Sequence, residues 1–252
     1  MSGHSKWSTI KRQKQAGDQK RGLLFSKLAN AITIAVREGG GTTDPGTNFK
    51  LRLVVDRAKA ANMPKENIDR AIDRAIGPGA STLEEILYEG YGSGGVAILV
   101  EVATDSRART MQEVKNVFDR SGGTLAAKGS VAYLFTHVGL ITAEKGARTS
   151  DQLFSIVVES GADDFEEHGD TIEIYTQANK LHEVKEKLTA SGMVIVDAEL
   201  TYRPINSVQI VEREKADKIL HFMNTLEELD DVQKVYANFD IHDDIVKSLS
   251  QA

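Results

Sequence analysis

Apolar residues in the first third of the chain recur three and four positions apart, which is the spacing of an amphipathic helix. The first such stretch, Gly22–Glu38, ends at the glycines 39–41. A second helix is expected after Asp44-Pro45, with Asp44 as the N-cap and Pro45 at the first helical position. A third begins at Pro64. The pattern predicts a small all-helical domain over residues 1–79, with buried stripes at Leu24, Leu28, Ala31, Ile32, Ala35, Val36, Leu51, Val54, Val55, Ala58, Ile68, Ala71, Ile72, Ala75 and Ile76.

After Gly79 the pattern changes to short β-branched runs that alternate with helical stretches. One set consists of two strand-helix-strand halves. The first half is the strand Gly95–Thr104, the helix Arg107–Ser121 and the strand Val131–Phe135. The second half is the strand Val208–Val211, the helix Lys215–Leu229 and the strand Val232–Phe239. A second set interrupts the first and reads β-α-β-β-α-β, in the order Gly139–Ala143, Ser150–Ser160, the hairpin Asp164–Thr176, Leu181–Ser191 and Met193–Tyr202. Both sets fit the ferredoxin-like arrangement, in which helices cover one face of an antiparallel sheet.

The predicted fold class is therefore α+β, with an N-terminal helical domain and two ferredoxin-like α+β domains, the third inserted in the second. The helical basic domain is predicted to span residues 1–79. The discontinuous α+β domain is predicted to span 80–138 and 204–252, and the inserted domain 139–203.

Composition limits the chemistry open to this protein. The chain has 252 residues and no cysteine, which removes disulfides, thiolate zinc sites and cysteine nucleophiles. No window approaches the run of about eighteen apolar residues that a membrane span needs. The N-terminus carries charge without the apolar stretch of a secretory signal. We therefore expect a cytoplasmic protein without membrane contact.

Charge is divided unevenly along the chain. Residues 1–80 hold 15 Lys and Arg against 7 Asp and Glu, whereas the remainder holds 16 against 30, which gives the net charge of −6. Such asymmetry suggests contact with nucleic acid at the basic end. A solvated basic helix surface is the alternative interpretation of the same charges.

The basic arm, which we define as residues 1–30, combines several features of a polyanion-binding segment. Cations neutralise phosphates, Trp7 offers a stacking plane, and glycines and serines let the segment conform. The arm contains a single acid, Asp18. The predicted nucleic-acid-binding residues are His4, Lys6, Trp7, Lys11, Arg12, Lys14, Lys20, Arg21 and Lys27. Further cations of the helical domain could extend this surface, namely Arg52, Arg57, Lys59, Lys65, Arg70 and Arg74.

Motifs that would carry other chemistry fail in their context. Gly90–Gly95 has the G-x-G-x-x-G spacing but precedes a strand, whereas a dinucleotide fingerprint follows one; a flexible inter-domain turn is expected there. His182-Glu183 lacks the second histidine of a zinc protease. His242-Asp243-Asp244 and the acids of the hairpin near Gly169 are typical of solvated surfaces. We expect no enzymatic activity, cofactor, metal or small-molecule substrate.

Several blocks of the sequence resemble the YebC/PmpR family, which includes the mitochondrial translational activator of cytochrome c oxidase. The two distinctive blocks are Gly3–Trp7 and Tyr88–Ala97. The remaining matches are Ile10-Lys11, Lys14, Asp44-Pro45, Asn48, Leu51-Arg52, Asn62–Lys65, Asn67-Ile68, Thr104-Asp105, Arg107, Arg109-Thr110, Gly122-Gly123, Gly129–Val131, Leu229–Gln233 and Asn238-Phe239.

The resemblance implies three domains, no enzymatic activity and a role in gene expression. Members of the family are most often labelled DNA-binding transcriptional regulators. Some members look instead like ribosome-associated translation factors that assist elongation at difficult sequences such as proline runs. The partner is thus expected to be DNA or ribosomal RNA. The third alternative is a protein-interaction scaffold whose arm binds an acidic protein.

Overall fold

The computed structural model describes residues 18–77, 83–242 and 245. The chain divides into two compact units. The first contains residues up to Phe135 together with those from Pro204 onward, and the second is Thr136–Arg203. The predicted three-domain boundaries stay a prediction, because this division groups the helices and the first sheet in one unit.

Three helices form the beginning of the first unit: α1 (Asp18–Glu38), α2 (Phe49–Ala60) and α3 (Lys65–Ile76). Most of the predicted stripe positions meet in one core. The prediction is wrong at Leu24 and Ile76, which are 45% and 55% exposed. The predicted start of α2 is wrong. Asn48, not Asp44, is its N-cap, because the Asn48 side chain accepts a hydrogen bond from the Leu51 N–H at 3.1 Å.

Asn48 also fastens the preceding loop to α1. Its amide nitrogen donates to the Ala35 carbonyl at 2.9 Å and to the Thr42 carbonyl at 3.1 Å. Asp44 instead accepts from the Gly46 N–H at 2.9 Å, which makes the Asp-Pro-Gly stretch a turn. A buried amide that satisfies three backbone groups outweighs the local preference for Asp-Pro as a helix start.

The first unit continues with β1 (Glu84–Tyr91), β2 (Ala97–Thr104), α4 (Arg107–Arg120) and β3 (Thr124–Ala126). After the second unit, it resumes with β8 (Val208–Ile210), α7 (Arg213–Glu227), β9 (Val232–Ala237) and β10 (Phe239–Ile241). Its main sheet has the antiparallel order β3-β1-β2-β9, and β8 pairs with β10 as a separate parallel ribbon. Helices α4 and α7 cover one face of the main sheet, and α1 packs against β2 and β9.

Two predictions for this sheet are wrong. The strand β1 was missed because its acids and glycine interrupt the apolar run, although Ile86 and Tyr88 alternate toward the core. The stretch Val131–Phe135 is not a strand. It contains a 3₁₀ turn, Ala132–Leu134, and only Phe135 begins a strand.

The second unit contains β4 (Phe135–Glu144), α5 (Ser150–Ser160), β5 (Asp164–His168), β6 (Thr171–Gln177), α6 (Leu181–Ala190) and β7 (Ile195–Pro204). The first residue of β4 and the last residue of β7 belong to the first unit. Its strand order is β5-β6-β4-β7, which is the ferredoxin order. The predicted elements of this unit are present, and the α+β fold class is confirmed.

The main sheet of the first unit departs from the ferredoxin order. Its central strands, β1 and β2, form a hairpin with Glu84 opposite Thr104 and Tyr91 opposite Ala97. In the second unit the two central strands, β4 and β6, are separated in sequence by β5. The departure follows directly from β1, which adds a strand before the first predicted one.

No helix in the described part of the chain is long and apolar enough to cross a membrane.

Candidate nucleic-acid interface

Most of the predicted binding residues fall outside the described part of the chain. These are His4, Lys6, Trp7, Lys11, Arg12 and Lys14. Lys20, Arg21 and Lys27 lie in the first half of α1, where Arg21 is exposed and Lys27 is half-buried. The prediction that these nine residues bind nucleic acid stays a prediction.

Lys27 has a structural contact within the protein. Its ammonium donates a hydrogen bond to the carbonyl oxygen of Glu227, the last residue of α7. The last carbonyls of a helix lack partners within that helix and carry partial negative charge, so a lysine there is stabilising. Lys27 therefore holds α1 against the C-terminal end of α7.

Four further cations on α2 and α3 lie at the surface, as their positions off the apolar stripes predicted: Lys59, Lys65, Arg70 and Arg74. Arg52 is different. It is half-buried, its guanidinium lies 5.9 Å from the centre of the Phe49 ring, and its Nε has no hydrogen-bond partner among the described residues. Arg52 is thus partly packed within the helical region.

The exposed face of α3 is not uniformly basic. Glu66, Asp69 and Asp73 are exposed between its cations. Residues 1–27 hold seven Lys and Arg against one Asp, whereas residues 28–77 hold eight against six Asp and Glu. The positive charge is therefore concentrated before and at the start of α1 rather than spread over the helices.

A buried carboxylate that sequence reasoning missed organises a loop in the first unit. Glu89 on β1 is only 3% exposed. Its oxygens accept hydrogen bonds from the N–H groups of Gly129 at 2.6 Å, Val131 at 2.7 Å and Ala132 at 2.9 Å. Burial tends to raise the pKa of Glu89, but these three donors outweigh it and the pKa is lowered. The charged carboxylate therefore fixes the loop.

The loop fixed by Glu89, residues 127–134, exposes a cation and an aromatic ring, Lys128 and Tyr133. The Tyr91 hydroxyl donates to the carbonyl of Ser130 at 2.8 Å and adds a second attachment to the sheet. Both anchoring residues come from the Tyr88–Ala97 block, and the loop contains the Gly129–Val131 block. Two stretches on which the family resemblance rests thus contact each other.

The G-x-G-x-x-G stretch serves packing and a hairpin turn. Gly90 lies where a Cβ would come within 2.3 Å of the Phe118 ring and 2.7 Å of the Thr124 carbonyl oxygen. Gly94 and Gly95, in the turn between β1 and β2, adopt φ of 74° and 77°. The expected inter-domain turn is wrong, because both flanking strands belong to one sheet.

A second polar network joins three elements of the first unit. One carboxylate oxygen of Asp231 accepts from Thr104 at 3.0 Å, Thr110 at 2.5 Å and Arg109 at 2.7 Å. Burial tends to raise the pKa of Asp231, but these donors lower it. The network holds the start of α4 against the ends of β2 and β9, so the block Leu229–Gln233 has a structural role.

The acids near Gly169 are neutralised to a larger extent than a solvated hairpin would require. Arg203 contacts Asp164 and Glu166, each at 2.8 Å, and its guanidinium lies 3.9 Å from the Tyr175 ring centre. Hydrogen bonding to Glu173 raises the pKa of His168. No group of three or more His, Asp or Glu within the described residues has an arrangement that could hold a metal ion. Asp243 and Asp244 lie outside those residues.

Two family models together match nearly the full chain. The model of the TACO1/YebC protein N-terminal domain matches residues 5–78, and that of the TACO1/YebC second and third domain matches residues 83–239. The division between the two models falls between α3 and β1, at the end of the helical region.

Relatives with similar sequences carry a regulatory name. "Probable transcriptional regulatory protein" is the name of one from Dictyoglomus thermophilum, which is 50% identical over 99% of this chain and 100% of its own length. A protein of the same name from Chloroflexus aggregans is 48% identical over 98% of each chain.

The crystal structure of a conserved hypothetical protein from Aquifex aeolicus has a similar fold, with a TM-score of 0.82 at 44% identity over 90% of this chain and 93% of that one. The helical region followed by antiparallel sheets is thus shared with an experimentally determined relative. With both family models matched and the relatives similar over their full length, the chain belongs to the TACO1/YebC family.

Proposed function

We propose that this protein is a non-catalytic, nucleic-acid-binding regulator of gene expression that contacts its target through the basic arm. The observation that carries the proposal is the separation of charge. Residues 1–27 hold seven cations and one acid, whereas the chain as a whole has a net charge of −6. An acidic body repels phosphate, so the main phosphate contact is made by the arm, which includes the start of α1.

The exposed surface of α3 supports recognition of phosphates and shape rather than of base edges. The helix follows α2 after a four-residue turn, the spacing of a helix-turn-helix. However, Glu66, Asp69 and Asp73 share its exposed surface with its cations. Carboxylates placed in a major groove would face the phosphates of both strands. The proposed contact is therefore made by the arm, with DNA as the target that the name of the relatives suggests.

Folded RNA on the ribosome is the second candidate target. The same observation favours it, because RNA helices are recognised mostly through shape and phosphates. In this alternative the protein assists translation at difficult sequences such as proline runs.

The salt dependence of binding tests the arm directly. If about six cations contact duplex phosphates, log K should fall against log salt with a slope of about −5. Replacing Lys6, Lys11, Arg12 and Lys14 with Ala should flatten the slope by roughly 3 to 4. Replacing Lys115, Arg120, Lys180 and Lys218, which are exposed elsewhere, makes the same change in net charge and should leave the slope unchanged. An unaltered slope in the arm variant would contradict the proposal.

Sedimentation separates the two targets. We would run lysate through a sucrose gradient with and without nuclease. Migration with ribosomal particles supports the RNA alternative. Sedimentation only with soluble proteins, together with a footprint on promoter DNA, supports DNA. Trp7 is the only tryptophan, so quenching of its fluorescence on titration with duplex DNA or folded RNA reports the contact at the arm itself.

A further inference from the structure

The loop of residues 127–134 displays an aromatic ring to solvent. Tyr133 is 66% exposed, in the middle of the 3₁₀ turn Ala132–Leu134. Among the described residues, only Tyr133 and Phe154 are aromatic residues with such large exposure. An exposed ring gains little from folding, because most of its apolar surface stays in water.

The backbone beneath this ring is held by interactions from the sheet. The Glu89 carboxylate accepts hydrogen bonds from three N–H groups of the loop. The Tyr91 hydroxyl donates one to the Ser130 carbonyl. The Leu134 N–H closes the turn onto the Val131 carbonyl at 2.9 Å. The backbone that carries the ring is therefore preorganised, which reduces the entropy lost when a ligand orders it.

The surroundings of the ring combine a cation with small residues. Lys128 is exposed five positions before Tyr133, and Gly129 and Ser130 lie between them. Ile205 adds exposed apolar surface beside the turn, since its N–H donates to the Leu134 carbonyl at 2.9 Å. A flat ring on the same loop as an exposed ammonium matches the two parts of a nucleotide, a base and a phosphate.

We propose that Tyr133 and Lys128 form a second, preformed contact for nucleic acid, in which an unpaired base stacks on the Tyr133 ring and Lys128 meets a neighbouring phosphate. This proposal rests on the proposed function and adds to it that the target has a single-stranded segment. Bases within a duplex are stacked on each other, so the ring has access only to unpaired ones. The positive charge of Lys128 favours this ligand over an apolar protein segment.

Binding of labelled oligonucleotides tests the contact. We would measure fluorescence anisotropy with an oligouridine and an oligothymidine of about 15 nucleotides, and with a duplex of the same length. Tyr133→Ala should weaken binding of the single strands roughly 5- to 100-fold and leave the duplex unchanged. A larger effect on oligouridine than on oligothymidine assigns the contact to RNA, and the reverse assigns it to DNA.

Three variants define what the ring does. Tyr133→Phe keeps the ring but loses the hydroxyl, and should bind like the wild type. Phe154→Ala removes the other exposed aromatic, on α5, and should change nothing. Lys128→Ala should reduce the salt slope for single strands by about 0.7. If Tyr133→Phe binds as weakly as Tyr133→Ala, the hydroxyl rather than stacking is responsible, and the proposal is overturned.

The arm variant separates this proposal from the proposed function. Loss of binding in the arm variant with unchanged binding in Tyr133→Ala overturns the second contact and leaves the function standing. Failure of the wild type to bind any of the three probes overturns both.

Discussion

The carboxylate of Glu89 accepts the backbone N–H of Val131 at 2.7 Å, although the two residues are 42 positions apart. The bond joins β1 to the loop that leads out of the first unit. Glu89 and Val131 are both buried, so water is poorly placed to replace the missing partner of either group. The pair therefore fixes the loop that presents Lys128 and Tyr133.

Replacing Glu89 with Gln should destabilise the protein at neutral pH. The amide keeps the shape of the side chain but loses the charge and turns one acceptor into a donor that faces N–H groups. We expect a loss of about 1–3 kcal/mol in the free energy of unfolding, measured by urea unfolding at pH 7. Glu84→Gln, an exposed position on the same strand, should change stability by less than about 0.5 kcal/mol.

The effect of Glu89→Gln should depend on pH in a defined direction. Because the pKa of Glu89 is lowered from its ordinary value of 4.5, its stabilising contribution is complete above that value. The contribution is lost as the pH falls through the lowered pKa. The difference between wild type and variant should therefore shrink in acid. A difference that stays constant down to pH values well below 4 would contradict the assigned role.

Replacing Glu85 with Gln should stabilise the protein at alkaline pH. Burial, followed by the carboxylates of Glu101 and Glu38, raises the pKa of Glu85 to about 7, and Lys50 acts in the opposite direction. An acid with a raised pKa makes stability fall as the pH rises from its ordinary value to the raised one. Since Glu85 is exposed, solvent screening limits the expected gain to roughly 1 kcal/mol above pH 7.

The measurement for Glu85→Gln is urea unfolding at several values between pH 4 and pH 8. The variant should match the wild type at the acidic end and exceed it at the alkaline end. Glu84→Gln, next to it on β1, should show no such trend. If Glu85→Gln were less stable than the wild type at pH 8, repulsion of the Glu85 carboxylate by Glu101 and Glu38 would be contradicted.

Replacing Lys27 with Met should separate its structural role from binding. The variant keeps the apolar stem but loses the hydrogen bond to the Glu227 carbonyl. We expect a loss of about 0.5–1.5 kcal/mol in the free energy of unfolding. Lys59→Met, at an exposed position of α2, is the control and should change stability little. Unchanged stability together with weaker binding of nucleic acid would assign Lys27 to the phosphate contact instead.

Replacing Gly90 with Ala should destabilise the main sheet of the first unit. The added methyl would meet the Phe118 ring, which packs edge-on against Phe222 with ring centres 4.9 Å apart. Overpacking of this kind costs about 1–3 kcal/mol. Gly22→Ala is the matched control, because a Cβ there meets nothing within 4 Å. Its position in α1 should make that change stabilising by about 0.5–1 kcal/mol. Thermal unfolding of both variants checks the opposite signs.

Helical periodicity predicted α1, α2 and α3 because each buries one stripe against the other two. The helices and strands of the second unit could be predicted equally well, because glycines and polar turns separate their apolar runs. By contrast, β1 was missed. Its inward positions are Ile86, Tyr88 and Gly90, and a glycine that accommodates an aromatic ring cannot be told from a turn glycine without the neighbouring Phe118.

Of the candidate interface, only the distribution of charge could be predicted from the sequence. The excess of cations before α1 is a property of composition, and it needs no fold to be recognised. The contact between Lys27 and Glu227 spans 200 positions, and no local pattern relates the two residues. The same holds for Glu89, whose carboxylate accepts hydrogen bonds from N–H groups 40 to 43 positions later in the chain.

The sequence by itself determined the α+β class, the helical region, the elements of the inserted unit and the concentration of positive charge at one end, because each is expressed in local periodicity or composition. Only the tertiary structure decided how the strands of the first sheet are ordered, why Gly90 is a glycine, and which loop Glu89 fixes. These features depend on hydrogen bonds and van der Waals contacts between residues that are distant in the chain, and such contacts produce no periodic pattern in the sequence.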